Sequence, residues 1–338
     1  MKLLIITQKV DVNDPILGFF HGWIEELSKH CESIVVICLY ESKHHLPKNV
    51  RVLSLGKEKG ESRMKYLWNF YEYIWKELEN YDKVFVHMNQ EYILLGGILW
   101  KLFERDIFMW RNHHAGSILT DIAAAFCKKV FCTSKYSYTA KYKNIEIMPI
   151  GIDIEKFKPL ESVQRTPQSI LFLGRISPVK RPDLFIDAII KLNENNSQII
   201  ASIYGNPLPQ DRIYYEGLKV KALNYVDFYK GVSNDETISI YSAHGIFVNL
   251  SSSGMYDKTI FEAMACGCLI LASNENLRGK INDDFIFRQG DREELIHKLE
   301  KLLSYSLEDK QKAVKDLRKF SEEHSLKKLG DKLFEEIN

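Results

Sequence analysis

The sequence SSSGMYDKTIFEAMACGCLILAS, residues 251–273, is the stretch on which both the fold and the function depend. It continues GIFVNLS at 245–251, a short and continuously apolar run that predicts a buried strand. After a polar loop, TIFEAMA at 259–265 has helical spacing, and CLILAS at 268–273 is a second apolar run. Strand, helix and strand in this order predict a β-α-β unit of a parallel sheet.

The same alternation of strands and helices runs through the whole chain, which predicts an α/β fold. A first series of strands begins with KLLIIT at 2–7 and ends with KVFCTS at 129–134. A second series begins with SILFLGRI at 169–176, after a proline-containing segment at 148–168 that has no clear period. We therefore expect two Rossmann-like, doubly wound domains that face an interdomain cleft, where open α/β sheets bind ligands.

The expected domain boundaries follow from these two series. Residues 1–152 are predicted to form the N-terminal Rossmann-like domain, and 153–321 the C-terminal one. The last helix, at about 322–338, has its apolar positions on one face and is expected to pack back on the first domain.

Charge and composition exclude several classes of protein. Lys plus Arg number 46 and Asp plus Glu 45, so the net charge of +1 gives no support for nucleic-acid binding. The six cysteines include no C-x2-C pair, and no metal is expected. The N-terminus does not resemble a signal peptide, and no apolar stretch is long enough to span a bilayer. We expect a cytoplasmic protein.

The pattern of one helix allows a contact with a membrane surface. SRMKYLWNFYEYIWKELE, residues 62–79, combines Arg and Lys with five aromatic residues within 68–75, as membrane-surface helices do. It also suits a helix that covers the sheet, because three glutamates dilute its positive charge. Under the first interpretation the protein makes a peripheral contact at the inner face of the membrane.

The loop after the predicted strand SILFLG contains two cations. Arg175 and Lys180 are expected at the carboxyl end of this strand, and Pro182 suits the first turn of the next helix. Two fixed cations at this place can hold a diphosphate and stabilise the charge that develops as it leaves. A solvated basic turn is the alternative.

The loop at 251–258 precedes a helix whose N-terminus suits a phosphate. Asp257 is a candidate N-cap, which would leave the backbone N–H groups of Lys258, Thr259 and Ile260 directed at the ligand. Glu262 lies early in this helix, within reach of ribose hydroxyls if the phosphate binds at the N-terminus. An exposed helical glutamate is the alternative, although the surrounding residues are nearly all small or apolar.

Further candidates lie in the first half of the chain. MWRNHHAGS places His113 and His114 after a predicted strand, where a histidine can contact a sugar hydroxyl or the reacting centre. His87 holds a similar but weaker position. Gly18 joins the first strand to the first helix, where a glycine permits a phosphate to approach the backbone. Neither G-x-G-x-x-G nor a P-loop sequence is present.

Together these motifs resemble family 4 glycosyltransferases (GT4) of the GT-B fold. MPIGIDIEKFKP resembles the family's interdomain segment, FLGRISPVKRPDLFIDAI its phosphate loop, and SSSGMYDKTIFEAMACGCLILAS its E-x7-E region. The resemblance covers nearly the whole chain. It implies a metal-independent, anomer-retaining enzyme that uses a nucleotide-diphosphate sugar, with 1–152 as the acceptor-side domain and 153–321 as the nucleotide-sugar-binding domain.

The resemblance also assigns roles to residues. It places Gly174, Arg175 and Lys180 at the diphosphate, Glu262 at the ribose, His113 or His114 near the donor sugar, and Gly18 beside the phosphates. The family's first E-x7-E glutamate falls on Gly254, so the usual contact of that carboxylate with the donor sugar is lost or taken over. Asp257, Ser253 and Lys258 are neighbouring candidates for this contact.

The expected reaction is transfer of a sugar from a UDP- or GDP-sugar to an acceptor hydroxyl on a glycan, lipid or small molecule. With no well-supported nucleophile in the sequence, front-face displacement is favoured. A non-catalytic sugar-nucleotide-binding protein and a GT-B-fold epimerase are the alternatives. The nucleotide base, sugar and acceptor are not encoded in these motifs.

Overall fold

The chain forms two compact units in a computed structural model that describes residues 1–14, 17–194, 199–251 and 254–338. The first unit contains Met1–Gly151 together with Leu326–Asn338, and the second contains Ile152–Ser325. Within the described residues, no helix is both long enough and apolar enough to cross a bilayer. All six cysteines are buried free thiols.

A seven-stranded parallel sheet forms the centre of the first unit. Its strands lie in the order β3-β2-β1-β4-β5-β6-β7. They are β1 (Lys2–Val10), β2 (Ser33–Glu41), β3 (Val50–Ser54), β4 (Lys83–His87), β5 (Asp106–Trp110), β6 (Lys129–Cys132) and β7 (Ile145–Ile147). The apolar runs predict β1, β2, β4, β5 and β6. They do not predict β3 and β7, because these edge strands are short and partly exposed and so have no continuous apolar run.

Helices cover both faces of this sheet. On one face lie α1 (Phe19–Ser28) and α11 (Leu326–Ile337), whose apolar residues pack with Leu3 and Ile5. On the other lie α2 (Arg63–Lys76), α3 (Glu91–Leu102) and α4 (Ile118–Phe126), which pack with Leu4 and Ile6. Successive side chains of β1 point to opposite faces, which is why the centre of a strand between two helical layers is a continuous apolar run.

The second unit is built around a five-stranded parallel sheet in the order β10-β9-β8-β11-β12. Its strands are β8 (Thr166–Leu173), β9 (Ile200–Tyr204), β10 (Asp227–Tyr229), β11 (His244–Asn249) and β12 (Leu269–Ala272). Its helices are α5 (Pro182–Glu194), α6 (Arg212–Ala222), α7 (Thr237–Ala243), α8 (Lys258–Ala265), α9 (Arg292–Leu303) and α10 (Leu307–Glu322). Two doubly wound α/β units are thus present, as the alternating pattern predicts.

Candidate functional site

Two loops of the second unit lie where its strand order reverses. β8 and β11 are neighbours, and the sheet continues to β9 on one side and to β12 on the other. The carboxyl ends of strands at such a switch point are where open α/β sheets bind ligands. The loop after β8 contains Arg175 and Lys180, and the loop after β11 leads to Asp257. The fold therefore brings together two of the loops that the sequence predicts to be functional.

Arg175 is exposed at the end of β8. None of the described residues forms an ion pair or a side-chain hydrogen bond with its guanidinium group. The preceding Gly174 has a φ of 155°, which side chains rarely adopt, and a Cβ at this residue would meet no atom within 4 Å. Backbone conformation is thus the reason for glycine here, and it turns the chain so that Arg175 faces solvent.

Lys180 reaches across to the second loop. Its ammonium nitrogen lies 2.6 Å from Oδ2 of Asp257 and donates to Oγ of Ser251 at 2.8 Å. The side chains of Lys180 and Asp257 are 30% and 19% exposed, so this ion pair is only partly accessible to solvent. Pro182 opens α5 two residues later, as the sequence predicts. The second of the two predicted phosphate-binding cations is therefore held by a carboxylate.

Several neutral donors also converge on Asp257. Oδ2 accepts from Asn249 Nδ2 at 3.2 Å and from Ser251 Oγ at 3.1 Å. Oδ1 accepts from the hydroxyl of Thr259 at 2.8 Å and from its N–H at 3.3 Å. Burial would raise the pKa of Asp257, but Lys180 and these donors outweigh it and lower that pKa to about 2. The carboxylate is therefore ionised at neutral pH.

Asp257 is the N-cap of α8, as the sequence predicts, and this cap corrects a further expectation. We expected free N–H groups at Thr259 and Ile260. The Thr259 N–H donates to the Asp257 carboxylate, and the Ile260 N–H donates to the Asp257 carbonyl oxygen at 3.2 Å. The prediction of free donors at these two residues is therefore wrong, because the cap and the first helical turn satisfy them.

The loop between β11 and α8 is held by side chains that follow β12. Ser273 Oγ donates to the carbonyl of Ser251, Asn274 Nδ2 to that of Met255, and Asn276 Nδ2 to that of Gly254. The side chains of Ser273, Asn274 and Asn276 are buried. These residues belong to none of the motifs that the sequence presents, although they form a polar run directly after an apolar strand.

Gly254 is buried and has a φ of 149°. A Cβ at this residue would meet no atom within 4 Å, so backbone conformation rather than lack of space favours glycine. A glutamate at this position would thus carry backbone strain in addition to its charge. The neighbouring candidate Ser253 lies outside the described residues.

Lys258 and Glu262 form a charge pair one helical turn apart on α8. Glu262 is 8% exposed and accepts a hydrogen bond from the hydroxyl of Tyr241 at 3.4 Å. Burial raises the pKa of Glu262 and lowers that of Lys258, and each charge opposes the shift of the other. Glu262 is therefore not the exposed helical glutamate of the alternative interpretation, and Tyr241 is a contact that the sequence did not reveal.

The histidines predicted in the first unit differ in their surroundings. His113 and His114 are both exposed, and their rings stack with centroids 4.5 Å apart. Nδ1 of His113 lies 3.0 Å from the backbone nitrogen of Ala115 and 3.1 Å from its carbonyl oxygen, so the backbone of Ala115 contacts this ring nitrogen in either tautomer. His87, in contrast, is buried and stacks on Phe20 at 3.9 Å. His87 therefore packs in the core, whereas His113 and His114 are open to a ligand.

Gly18 precedes α1 and has a steric reason to be glycine. A Cβ there would lie 2.5 Å from the carbonyl oxygen of Asp14 and 2.9 Å from that of Val12. The tight turn therefore accounts for this glycine without a ligand, and its approach to a phosphate stays a prediction.

The sequence of the second unit matches a family model. Residues 153–321 match the model of "Glycosyl transferases group 1". Among curated proteins, D-inositol 3-phosphate glycosyltransferase 2 of Catenulispora acidiphila is 26% identical over 153 residues, which is 40% of this chain and 36% of that protein. The match thus spans about a third of the length of this relative.

Solved structures resemble the fold of the whole chain. The crystal structure of Anabaena Alr3699/HepE in complex with UDP and glucose has a TM-score of 0.76 at 16% identity, and covers 99% of this chain and 98% of that one. A glycosyltransferase from Rickettsia africae has a TM-score of 0.77 at 14% identity, with the same coverage. At these identities the likeness establishes the fold.

The family model covers 169 of the 338 residues, which is half of the chain, and its match includes both loops at the β8–β11 switch point. The chain therefore belongs to the group 1 glycosyl transferases, the family 4 type that its motifs resemble, and it has the GT-B fold.

Proposed function

We propose that this protein is a retaining, metal-independent glycosyltransferase that moves a sugar from a nucleotide-diphosphate sugar to an acceptor hydroxyl. The observation that carries the proposal is the pair of cations at the β8–β11 switch point. Arg175 is exposed there without an ion-pair partner among the described residues, and Lys180 of the same loop donates to Ser251 Oγ and to the Asp257 carboxylate. Such a place suits a leaving diphosphate.

Arg175 and Lys180 would stabilise the charge that develops on the diphosphate. Lys180 is bound to Asp257, so a diphosphate at this site would compete with that carboxylate for the ammonium group. Arg175 has no such competitor among the described residues and would contact the phosphates directly. We therefore assign Arg175 the larger part in stabilising the leaving group and Lys180 a part that depends on Asp257.

Glu262 is proposed to bind the ribose of the donor. It lies in the second turn of α8, and its carboxylate is reached by the Tyr241 hydroxyl at 3.4 Å. A carboxylate can accept hydrogen bonds from two vicinal hydroxyls, and burial strengthens such bonds. Burial raises the pKa of Glu262 to about 7, and Lys258 beside it opposes this shift and so favours the ionised, accepting form.

Front-face displacement is the mechanism that we favour. The bond from the anomeric carbon to the phosphate oxygen breaks, the bond to the acceptor oxygen forms on the same face, and the acceptor proton passes to the leaving diphosphate oxygen. Position 254 is a glycine, so it supplies no carboxylate to act as a nucleophile. His113 and His114 remain candidates for contact with the donor sugar.

The donor is proposed to be a UDP- or GDP-sugar. A structural neighbour that was solved with UDP and glucose makes UDP-glucose the first donor to test. The acceptor is proposed only as a hydroxyl compound. The named relative matches this chain over 153 residues, which is too little to carry over a particular acceptor.

Two measurements on the whole chain test the proposal. A thermal-shift screen with UDP, GDP and several of their sugars should identify the donor, because a bound ligand raises the unfolding temperature. Product analysis with that donor and a panel of acceptors should then show a glycoside of retained configuration. The rate of its formation should be the same with and without EDTA. Nucleotide binding without transfer would indicate a binding protein, and a new sugar nucleotide without an acceptor would indicate an epimerase.

A further inference from the structure

The hydroxyl of Tyr241 donates to the carboxylate that is proposed to bind the ribose. Tyr241 lies in α7, and its hydroxyl reaches Oε2 of Glu262 in α8 at 3.4 Å. Tyr241 is completely buried, and Glu262 is 8% exposed. The helix that precedes β11 therefore contacts a functional side chain of the helix that follows β11.

The ring and the backbone of Tyr241 are themselves held in place. The ring packs edge-on against Phe247 of β11, with the two ring centroids 5.6 Å apart. The carbonyl oxygen of Tyr241 accepts hydrogen bonds from Cys268 Sγ at 3.0 Å and from the Arg165 guanidinium at 3.4 Å. The Tyr241 hydroxyl is thus a donor in a fixed position, and it restricts where the Glu262 carboxylate can lie.

Other buried tyrosines use their hydroxyls differently. Tyr81 donates to the carbonyl oxygen of Ile74 at 3.2 Å, and Tyr256 donates to that of Asn276 at 2.9 Å. A backbone carbonyl satisfies a buried phenol without involving an ionisable group. Tyr241 instead donates to a carboxylate, which it can orient and whose charge it stabilises.

Charged and polar groups from several elements act on the Glu262 carboxylate. Burial raises its pKa to about 7, and Asp257 at the N-terminus of α8 adds to this shift. Lys258 of the same helix, Asn234 in the loop before α7, and Tyr241 lower that pKa. The Tyr241 hydroxyl therefore favours the ionised form, which is the form that accepts hydrogen bonds at both oxygens.

We propose that Tyr241 is a positioning residue that holds the Glu262 carboxylate for the ribose hydroxyls of the donor, so that the site distinguishes a ribonucleotide from a deoxyribonucleotide. A carboxylate has about four acceptor sites, so the one that Tyr241 occupies leaves others for a ribose. An acceptor that is buried by a nucleotide without ribose hydroxyls is left unpaired, which penalises the deoxy analogue. The inference rests on the proposed ribose contact of Glu262 and does not depend on which sugar is transferred.

Nucleotide binding to the whole chain tests this proposal without an acceptor. The probes are UDP and GDP, each compared with its 2′,3′-dideoxy analogue by isothermal titration calorimetry. We expect the wild type to bind one of the two nucleotides at least about tenfold more tightly than its analogue. Tyr241→Phe removes only the hydroxyl and should reduce this ratio roughly fivefold or more.

Two further measurements separate positioning from a general structural role. In a Glu262→Ala background, Tyr241→Phe should not change the ratio further, because the carboxylate through which Tyr241 acts is absent. Nucleotide binding to the wild type should weaken as the pH falls through the pKa of Glu262. In Tyr241→Phe this loss should occur at higher pH, because a donor that lowers that pKa has been removed.

Tyr81→Phe is the matched control, because Tyr81 is also completely buried, lies in the first unit and donates to a backbone carbonyl. It should lower thermal stability and leave the nucleotide ratio and its pH dependence at their wild-type values. An unchanged ratio in Tyr241→Phe would overturn the positioning role and leave the ribose contact of Glu262 standing. Equal binding of a nucleotide and its dideoxy analogue to the wild type would overturn both, but not the proposed transfer. Binding of neither UDP nor GDP would overturn the inference together with the proposed donor.

Discussion

The ammonium nitrogen of Lys180 lies 2.6 Å from Oδ2 of Asp257, and this ion pair links the two loops at the β8–β11 switch point. The same carboxylate caps α8 and accepts hydrogen bonds from Asn249, Ser251 and Thr259. One side chain thus orders the strand end, the loop and the helix, and it also holds a cation that the proposed reaction needs.

Asp257 should therefore stabilise the protein at neutral pH and lose this effect in acid. Its pKa falls from the ordinary 3.8 to about 2, so the stabilisation is present above pH 3.8 and disappears as the pH falls towards 2. Asp257→Asn keeps an N-cap acceptor but removes the charge, and should lower the free energy of unfolding by about 2 kcal/mol at pH 6.

Urea unfolding followed by far-ultraviolet circular dichroism is the suitable measurement. All five tryptophans lie in the first unit, so their fluorescence would not report on Asp257. The difference between wild type and Asp257→Asn should narrow below pH 4. Asp235→Asn is the control, because its side chain is 82% exposed and its pair with Lys156 is at the surface. A difference that stays constant from pH 6 to pH 3 would contradict the assigned ion pair.

Arg175→Ala and Lys180→Ala should both slow sugar transfer, for different structural reasons. Loss of one group that stabilises a leaving diphosphate should lower turnover roughly a hundredfold or more. Arg175 forms no ion pair or side-chain hydrogen bond with a described residue, so Arg175→Ala should leave thermal stability unchanged. Lys180→Ala also leaves the Asp257 carboxylate without its counter-charge and should lower the unfolding temperature. Turnover and thermal unfolding measured on the same samples separate the two effects.

An exposed lysine elsewhere in the second unit provides the comparison. Lys315 is an exposed residue of α10, and Lys315→Ala should change neither turnover nor stability. Near-wild-type turnover in Arg175→Ala would remove this residue from the proposed diphosphate site.

The sequence predicts the layers of this fold better than the chemistry of its loops. Buried strands such as β1 and β11 are recognisable because both faces of each sheet are covered, which makes their central residues a continuous apolar run. In the edge strand β3 the first four residues are partly or fully exposed, and Arg51 interrupts the apolar run, so the sequence does not identify it. Strand type follows from local pattern, whereas strand order and edge position depend on contacts between distant segments.

The same difference between local pattern and distant contact applies to the candidate site. Arg175, Lys180 and Glu262 could be selected because each stands at a fixed offset from a predicted strand or helix start. The ion pair between Lys180 and Asp257 spans 77 positions in the chain and arises only because β8 and β11 are neighbours. The expectation of free N–H groups at Thr259 and Ile260 is wrong although no distant contact is involved. The cap that satisfies these groups is local, and the sequence predicts that cap.

Gly254 offers a test of whether its position faces the donor sugar. Its φ of 149° makes any side chain costly, so Gly254→Ala and Gly254→Glu should both lower the free energy of unfolding, by about 1–3 kcal/mol. If position 254 faces the sugar, the ratio of kcat/KM for two donor sugars should differ between these two variants. The alanine variant isolates strain, and the glutamate variant adds the carboxylate.

Gly279→Ala is the matched control for this experiment. Gly279 also has a positive φ and no atom within 4 Å of a built Cβ, so this variant introduces backbone strain elsewhere in the second unit. It should leave the donor ratio at its wild-type value. Identical ratios for alanine and glutamate at position 254 would mean that this position does not face the donor.

Lys258 and Glu262 should be energetically coupled, because each is the other's counter-charge in a buried setting. Removing one partner leaves the remaining charge without compensation, whereas removing both relieves that cost. Lys258→Met and Glu262→Gln should each destabilise the protein, and the double variant should be more stable than the sum of the two losses predicts, by about 1–3 kcal/mol. Urea unfolding of the four proteins, followed by circular dichroism, completes the double-mutant cycle.

The pair formed by Lys221 and Asp187 at 2.6 Å provides the comparison. Its side chains are 41% and 29% exposed, so the losses from its two single variants should be almost additive. Additive losses at Lys258 and Glu262 would show that burial alone, without their mutual attraction, shifts the two pKa values, and Lys258 would then have no part in keeping Glu262 ionised for the ribose.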